Sequence, residues 1–140
     1  MLYLDTSLVV SAISNEIATP RVQQWLRHQS DELLISYWTV TELSSAMAMK
    51  LRTGDITVDR RRRAFAKFEE LRADNFTLLR VTSAHFKVAA TFADRHELSV
   101  RANDALHLAI AAAQGATVCT LDQRLAVAGP ELGVPTQLLT

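Results

Sequence analysis

Asp5, Glu42, Asp104 and Asp122 share a setting that one acid alone would not make notable. Each stands just after a short apolar run or in the opening of the helix that follows one. A single acid there is explained by the helix dipole, which favours carboxylates in the first turn by roughly 0.3–1 kcal/mol. Four fit that explanation less well, because Asn103 and Thr120 already offer caps to the helices beside Asp104 and Asp122. If the four converge, their charge must be answered. Two carboxylates ~4 Å apart repel by about 4 kcal/mol at an effective dielectric near 20. Such a group holds protons or holds a cation. Arg101 and Arg124 are the nearest basic residues, and neither is placed to neutralise all four acids. Oxygen donors without cysteine or histidine select hard ions, Mg²⁺ or Mn²⁺. These ions acidify water and clamp a phosphodiester for in-line attack, so the residues point to metal-assisted phosphoryl chemistry.

The elements that would position these acids alternate between strand and helix. Met1-Leu2-Tyr3-Leu4-Asp5-Thr6-Ser7 is apolar without alternation and then abruptly polar, the pattern of a strand buried on both faces that stops at Asp5. Further strands are expected at 33–36, 78–81 and 117–121, with an edge strand at 136–139. Helices are expected at 8–14, from Thr19-Pro20 to about Arg27, from Thr39 or Thr41 to Leu51, and from a Thr57 cap onward. Others should run from a Ser83 cap through Leu98, over 102–114 with Gly115 ending it, and from Asp122 to Val127, stopping before Gly129-Pro130. Alternation of this kind predicts an α/β fold: a parallel or mostly parallel sheet of four to five strands flanked by helices. Two helices fall between the second and third strands, and the pair is expected to project as a helical hairpin. Open sheets of this class place their chemistry at the carboxyl ends of the strands, where all four acids would lie.

The chain has 140 residues, which suits a single domain, 1–140. A chain of that size buries roughly two-thirds of its unfolded surface and needs no staples. Cys119 is the only cysteine, so no internal disulfide forms. No charged-then-apolar leader opens the sequence and no apolar run approaches ~18 residues, so a cytoplasmic location away from membranes is expected. Lys plus Arg and Asp plus Glu both number 15, so net charge gives no sign of a nucleic-acid partner.

Leu4-Asp5-Thr6-Ser7, Thr41-Glu42-Leu43, Asp104-Ala105-Leu106-His107-Leu108-Ala109 and Thr120-Leu121-Asp122 with Arg124-Leu125 carry a resemblance across essentially the whole chain. In order, spacing and overall length they resemble the PIN-domain ribonucleases, and within them the VapC-type toxins of toxin–antitoxin pairs. The resemblance implies a Mg²⁺- or Mn²⁺-dependent endoribonuclease, a small antitoxin that masks its active site, and a homodimer. Asp5, Glu42, Asp104 and Asp122 match the family's acidic quartet. It implies Asp5 and Asp104 as metal ligands, Asp122 as a ligand or the holder of one of the metal's waters, and Glu42 as the group that orients or deprotonates the attacking water. Ser7 and Thr120 match hydroxyls that support the metal's water.

Other features have plainer explanations. Arg60 to Arg63 span more than one helical turn and cannot all face one RNA, which favours a solvated, salt-bridged face. Arg101, just before Asp104, is the better RNA contact. His107 lies one turn after Asp104 and reads first as a packed helix residue. Trp25, Trp38, Phe65, Phe68, Met47 and Met49 read as packing residues, and Cys119 as a small buried hydrophobe. An aspartyl phosphatase would want a second aspartate at position 7, where Ser7 stands, and no Gly-rich phosphate loop occurs. The remaining alternative is a catalytically weak module of the same fold that binds RNA or protein.

Overall fold

The computed structural model describes residues 1–140. Its strands are β1 (Leu2–Leu4), β2 (Leu33–Ser36), β3 (Phe76–Leu79), β4 (Thr117–Thr120) and β5 (Thr136–Leu138). They form one sheet in the order β3-β2-β1-β4-β5, with every pairing parallel. The first strand is the middle one. The chain builds outward through β2 and β3, then crosses back to lay β4 and β5 on the other side of β1. The strand order therefore reverses between β1 and β4, and their carboxyl ends open onto the crevice that this reversal creates.

Helices cover both faces, as an all-parallel sheet requires. On one face lie α1 (Thr6–Ile13), α2 (Thr19–Arg27), α3 (Tyr37–Arg52) and α4 (Val58–Asp74). Leu4, Leu8, Val9, Val22, Leu43 and Phe68 are packed together in that layer. On the other lie α5 (Ser83–Ala93), α6 (Ala102–Gln114) and α7 (Gln123–Glu131). Tyr3, Leu34, Leu108, Ile110, Val118 and Leu125 are packed in that layer. Successive β1 residues thus face opposite cores, as strand geometry demands. Helix α6 is buried at every position from Ala105 to Ala111. Its run of alanines lets it lie close between sheet and α5.

The predicted crossover between β2 and β3 consists of α3 and α4, but α4 does not project. Ala64 and Phe68 turn it back onto the first core layer, and full burial of one such phenylalanine contributes roughly 2–3 kcal/mol. Several boundaries also move. Helix α3 begins at Tyr37, capped by Ser36 in a capping box with Thr39, so Glu42 sits in the second turn rather than the first. Strand β3 starts two residues early, at Phe76. Helix α5 is capped by Thr82 and ends at Ala93, followed by a separate 3₁₀ turn, His96–Leu98. Helix α7 continues through Gly129-Pro130 and ends at Glu131, one residue after the proline. Met49 is exposed, unlike Met47, which is buried. No helix is long and apolar enough to cross a membrane.

Candidate active site

Asp5 leaves β1 in extended backbone and caps α1. Its Oδ1 accepts from the Leu8 amide at 3.1 Å and from Ser7 Oγ at 2.7 Å. Its Oδ2 accepts from Thr120 Oγ1. The capping explanation is therefore true of Asp5, and it does not exhaust the residue. Only 4% of Asp5 is exposed, and no lysine or arginine pairs with it. Burial pushes its carboxyl above the ordinary range, and the hydroxyl bonds from Thr120 and Ser7 and the charge of His107 do not cancel that effect.

Ser7 and Thr120 spend their hydroxyls on Asp5. Each also accepts a backbone amide of the turn after β4: Ser7 Oγ from Leu121 at 3.1 Å, Thr120 Oγ1 from Asp122 at 2.9 Å. The pair thus locks the carboxyl end of β1 to that of β4. Asp122 opens α7, and its Oδ1 accepts the amides of Arg124 at 2.8 Å and Leu125 at 3.4 Å. This is a helix cap by geometry, and only Asp122 Oδ2 is left for other work.

Glu42, from α3, is gripped on both oxygens. Oε1 accepts from Thr6 Oγ1 at 2.7 Å and meets His107 Nε2. Oε2 accepts from Asn103 Nδ2 at 3.2 Å. Burial pushes this carboxyl up, but the bond from His107, its charge, and the bonds from Thr6 and Asn103 outweigh burial and hold it below the usual range. Asp104, in the first turn of α6, has only a 3.4 Å contact from Asn103. It is pushed from 3.8 up to about 6, first by burial and then by the charges of Asp122, Asp5 and Glu42, with His107 opposing. Each of the other three acids is thus near enough to repel Asp104. The four side chains come from four separate elements, and Asp104 and Asp122 line one cleft.

Whether these residues suit a hard divalent ion can be judged from the donor set. The acids offer oxygens only, and the single cationic-capable partner among them is His107 beside Glu42. A buried Asp5 and an Asp104 pushed up by burial and acidic neighbours are carboxyls that a positive charge would stabilise in ionised form. No three His, Cys, Asp or Glu side chains stand close enough to hold one ion between them. A hard divalent ion held here would take one or two of these carboxylates directly and fill the rest of its coordination with water. Arg101 and Arg124 line the same cleft as Asp104 and Asp122.

A family model described as PIN domain matches residues 2–129. The chain belongs to the PIN-domain family. Among solved structures, this PIN domain is similar to FitAcB from Neisseria gonorrhoeae, at 22% identity over 97% of this chain and 96% of that one, TM-score 0.73. It is similar to VapC20 from Mycobacterium tuberculosis, described as a Sarcin-Ricin loop cleaving toxin, at 17% identity over 92% and 95%, TM-score 0.73. It is also similar to DNA-bound VapBC from Salmonella typhimurium, at 18% identity over 97% and 96%, TM-score 0.71. These likenesses establish the fold. Comparison with curated proteins yields no match.

Five residues that the PIN domain places around its acids escaped sequence reasoning: Tyr3, Thr6, Ser36, Asn103 and the bonded role of His107. Asn103 and His107 carried a signal, being one helical turn apart beside Asp104. Tyr3, Thr6 and Ser36 carried none, since their partners lie on other elements. Arg62 and Arg63 pair with Asp59, and Arg61 stacks over Phe65 at 4.9 Å, so the arginine run is a salt-bridged surface. Cys119 is fully buried, its thiol pushed up to about 12 by burial first.

Proposed function

We propose that this PIN domain is an endoribonuclease toxin that hydrolyses RNA with Mg²⁺ or Mn²⁺ and is restrained by a cognate antitoxin. The observation that carries the reading is the mutual charge of the four acids: Asp104 is pushed up to about 6 by burial and by Asp122, Asp5 and Glu42, with no lysine or arginine paired to any of them. Asp5 and Asp104 would hold the ion, and Asp122 Oδ2 would bind it or one of its waters. When bound, the ion would supply Lewis-acid stabilisation of phosphodiester charge and a more acidic water.

The chain's own residues do the rest. Glu42 orients the attacking water and accepts its proton. The water oxygen bonds to phosphorus, the P–O3′ bond breaks, the departing O3′ takes a proton from solvent, and the products carry a 5′-phosphate and a 3′-hydroxyl. Ser7 and Thr120 keep Asp5 at the edge of the crevice. Arg101 and Arg124 bind flanking phosphates of the RNA. The likeness of this fold to a structure from Klebsiella pneumoniae described as a toxin-antitoxin complex supports an antitoxin partner, and a homodimer is part of the same proposal.

The test is cleavage of RNA by the purified, partner-free chain with Mn²⁺ or Mg²⁺, against EDTA. Activity should vanish in EDTA and in Asp5→Asn or Asp104→Asn. Cleavage that survives either treatment overturns the mechanism. Co-purification with the protein encoded beside it tests the antitoxin.

A further inference from the structure

Behind the acids runs a chain of buried polar groups, of which only Ser36 has a capping task of its own. Ser36 Oγ lies 2.8 Å from Tyr3 Oη, and Tyr3 Oη lies 2.7 Å from His107 Nδ1. His107 Nε2 then meets Glu42 Oε1, with Thr6 Oγ1 3.2 Å from the same nitrogen. Tyr3 and Ser36 are fully buried, and His107 is 1% exposed. Burying three polar side chains is costly unless each is paired. Here each is, and the line ends on a carboxylate at the crevice.

With the His107 ring uncharged, one direction of hydrogen bonding pairs every member. Ser36 donates to the Tyr3 oxygen, Tyr3 donates to His107 Nδ1, and His107 donates from Nε2 to Glu42. Tyr3 is well placed to keep its proton, since burial drives its hydroxyl upward. Asn103, one turn before His107 on α6, takes the other Glu42 oxygen. Helix α6 therefore grips Glu42 with two side chains while presenting Asp104 between them.

We propose that His107, locked in one tautomer by Tyr3, is a positioning residue that fixes the direction of the Glu42 carboxylate. The proposal rests on the reading of Glu42 as the group that orients the attacking water. His107 touches neither RNA nor ion. Its work is to stop the glutamate from rotating, so that each carboxylate oxygen keeps its own partners. Support of this kind behind reactive groups typically carries about a 10- to 100-fold effect.

The test has two arms on the full chain. Long-range ¹H–¹⁵N spectra of the ring, assigned with His107→Gln, should show hydrogen on Nε2 and none on Nδ1. That pattern should blur in Tyr3→Phe, and the Nε2 proton should move in Glu42→Gln. Hydrogen found on Nδ1 alone overturns the proposal, whatever the activity. The second arm is a double-mutant cycle read as kcat on RNA with Mn²⁺, with folding checked by thermal melts. His107→Gln should lower kcat about 10- to 100-fold in the wild-type background, leave KM nearly unchanged, and add little in Glu42→Gln. Tyr3→Phe should give a smaller loss of the same kind. Equal losses in both backgrounds would mean that His107 acts through the fold alone and would overturn the proposal. A wild-type chain that cleaves no RNA while the Nε2 pattern holds would overturn the nuclease reading instead.

Discussion

Replacing Asp104 by asparagine should stabilise the ion-free protein while destroying its activity. In the folded chain the Asp104 carboxyl is pushed from 3.8 up to about 6. For an acid, a raised folded value means that the native state binds the proton more tightly than the unfolded state. Stability is then greatest below the unfolded value, falls as pH rises between 3.8 and about 6, and carries the full penalty above that. A tenfold change in proton affinity is worth about 1.4 kcal/mol, so the penalty at neutral pH is ~3 kcal/mol before screening. Asp104 is only half-buried, and solvent cuts that to about 1–2 kcal/mol. Asparagine has no proton to lose, so Asp104→Asn in EDTA at pH 7 should melt roughly 3–8 °C higher than wild type. The gain should shrink at pH 5, where the wild-type acid is largely protonated. Adding Mn²⁺ should raise the melting point of wild type more than that of the variant. A variant that melts lower than wild type at pH 7, or a gain that grows on acidification, would refute the buried-charge reasoning.

Three further outcomes follow from particular contacts. Thr120→Val removes the donor to Asp5 Oδ2 and the acceptor of the Asp122 amide, and should cost about 1–3 kcal/mol in urea unfolding and weaken Mn²⁺ binding measured by calorimetry. Arg101→Ala and Arg124→Ala should each weaken RNA binding and lower the salt slope of log K by about 0.7 per lost phosphate contact, which fluorescence anisotropy across a salt series will read. Gly129→Ala would set its Cβ 2.2 Å from Thr136 Cγ2 and 2.9 Å from the Val134 carbonyl, so it should destabilise α7 against β5 by about 1–3 kcal/mol in denaturant melts.

Much of this fold was legible because its signals are local. Apolar runs of three or four residues mark the strands, and Gly115 and Thr57 punctuate helices as their chemistry dictates. What failed was also local in origin. Ser36 serves as both the last strand residue and a helix cap, so the helix carrying Glu42 began earlier than Thr39 suggested. Pro130 reads as a stop, and the helix instead runs one residue past it. The inward fold of α4 depends on how Phe68 meets α1, which periodicity cannot announce. At the site, the acids were visible because carboxylates after strands are uncommon in such number. The partners of Glu42 come from α1 and α6, with Tyr3 of β1 behind His107, and only tertiary structure makes Tyr3, Thr6 and His107 neighbours.

The central place of β1 has a consequence for synthesis. Asp5 is made almost at once, yet the hydroxyl that holds its outer oxygen belongs to Thr120, 115 residues later. Until β4 leaves the ribosome, the middle of the sheet lacks one neighbour and the crevice lacks a wall. At ~5–20 residues per second, that interval lasts several seconds or longer. The carboxyl end of β1 therefore gains its last polar partner only when nearly the whole chain has been made.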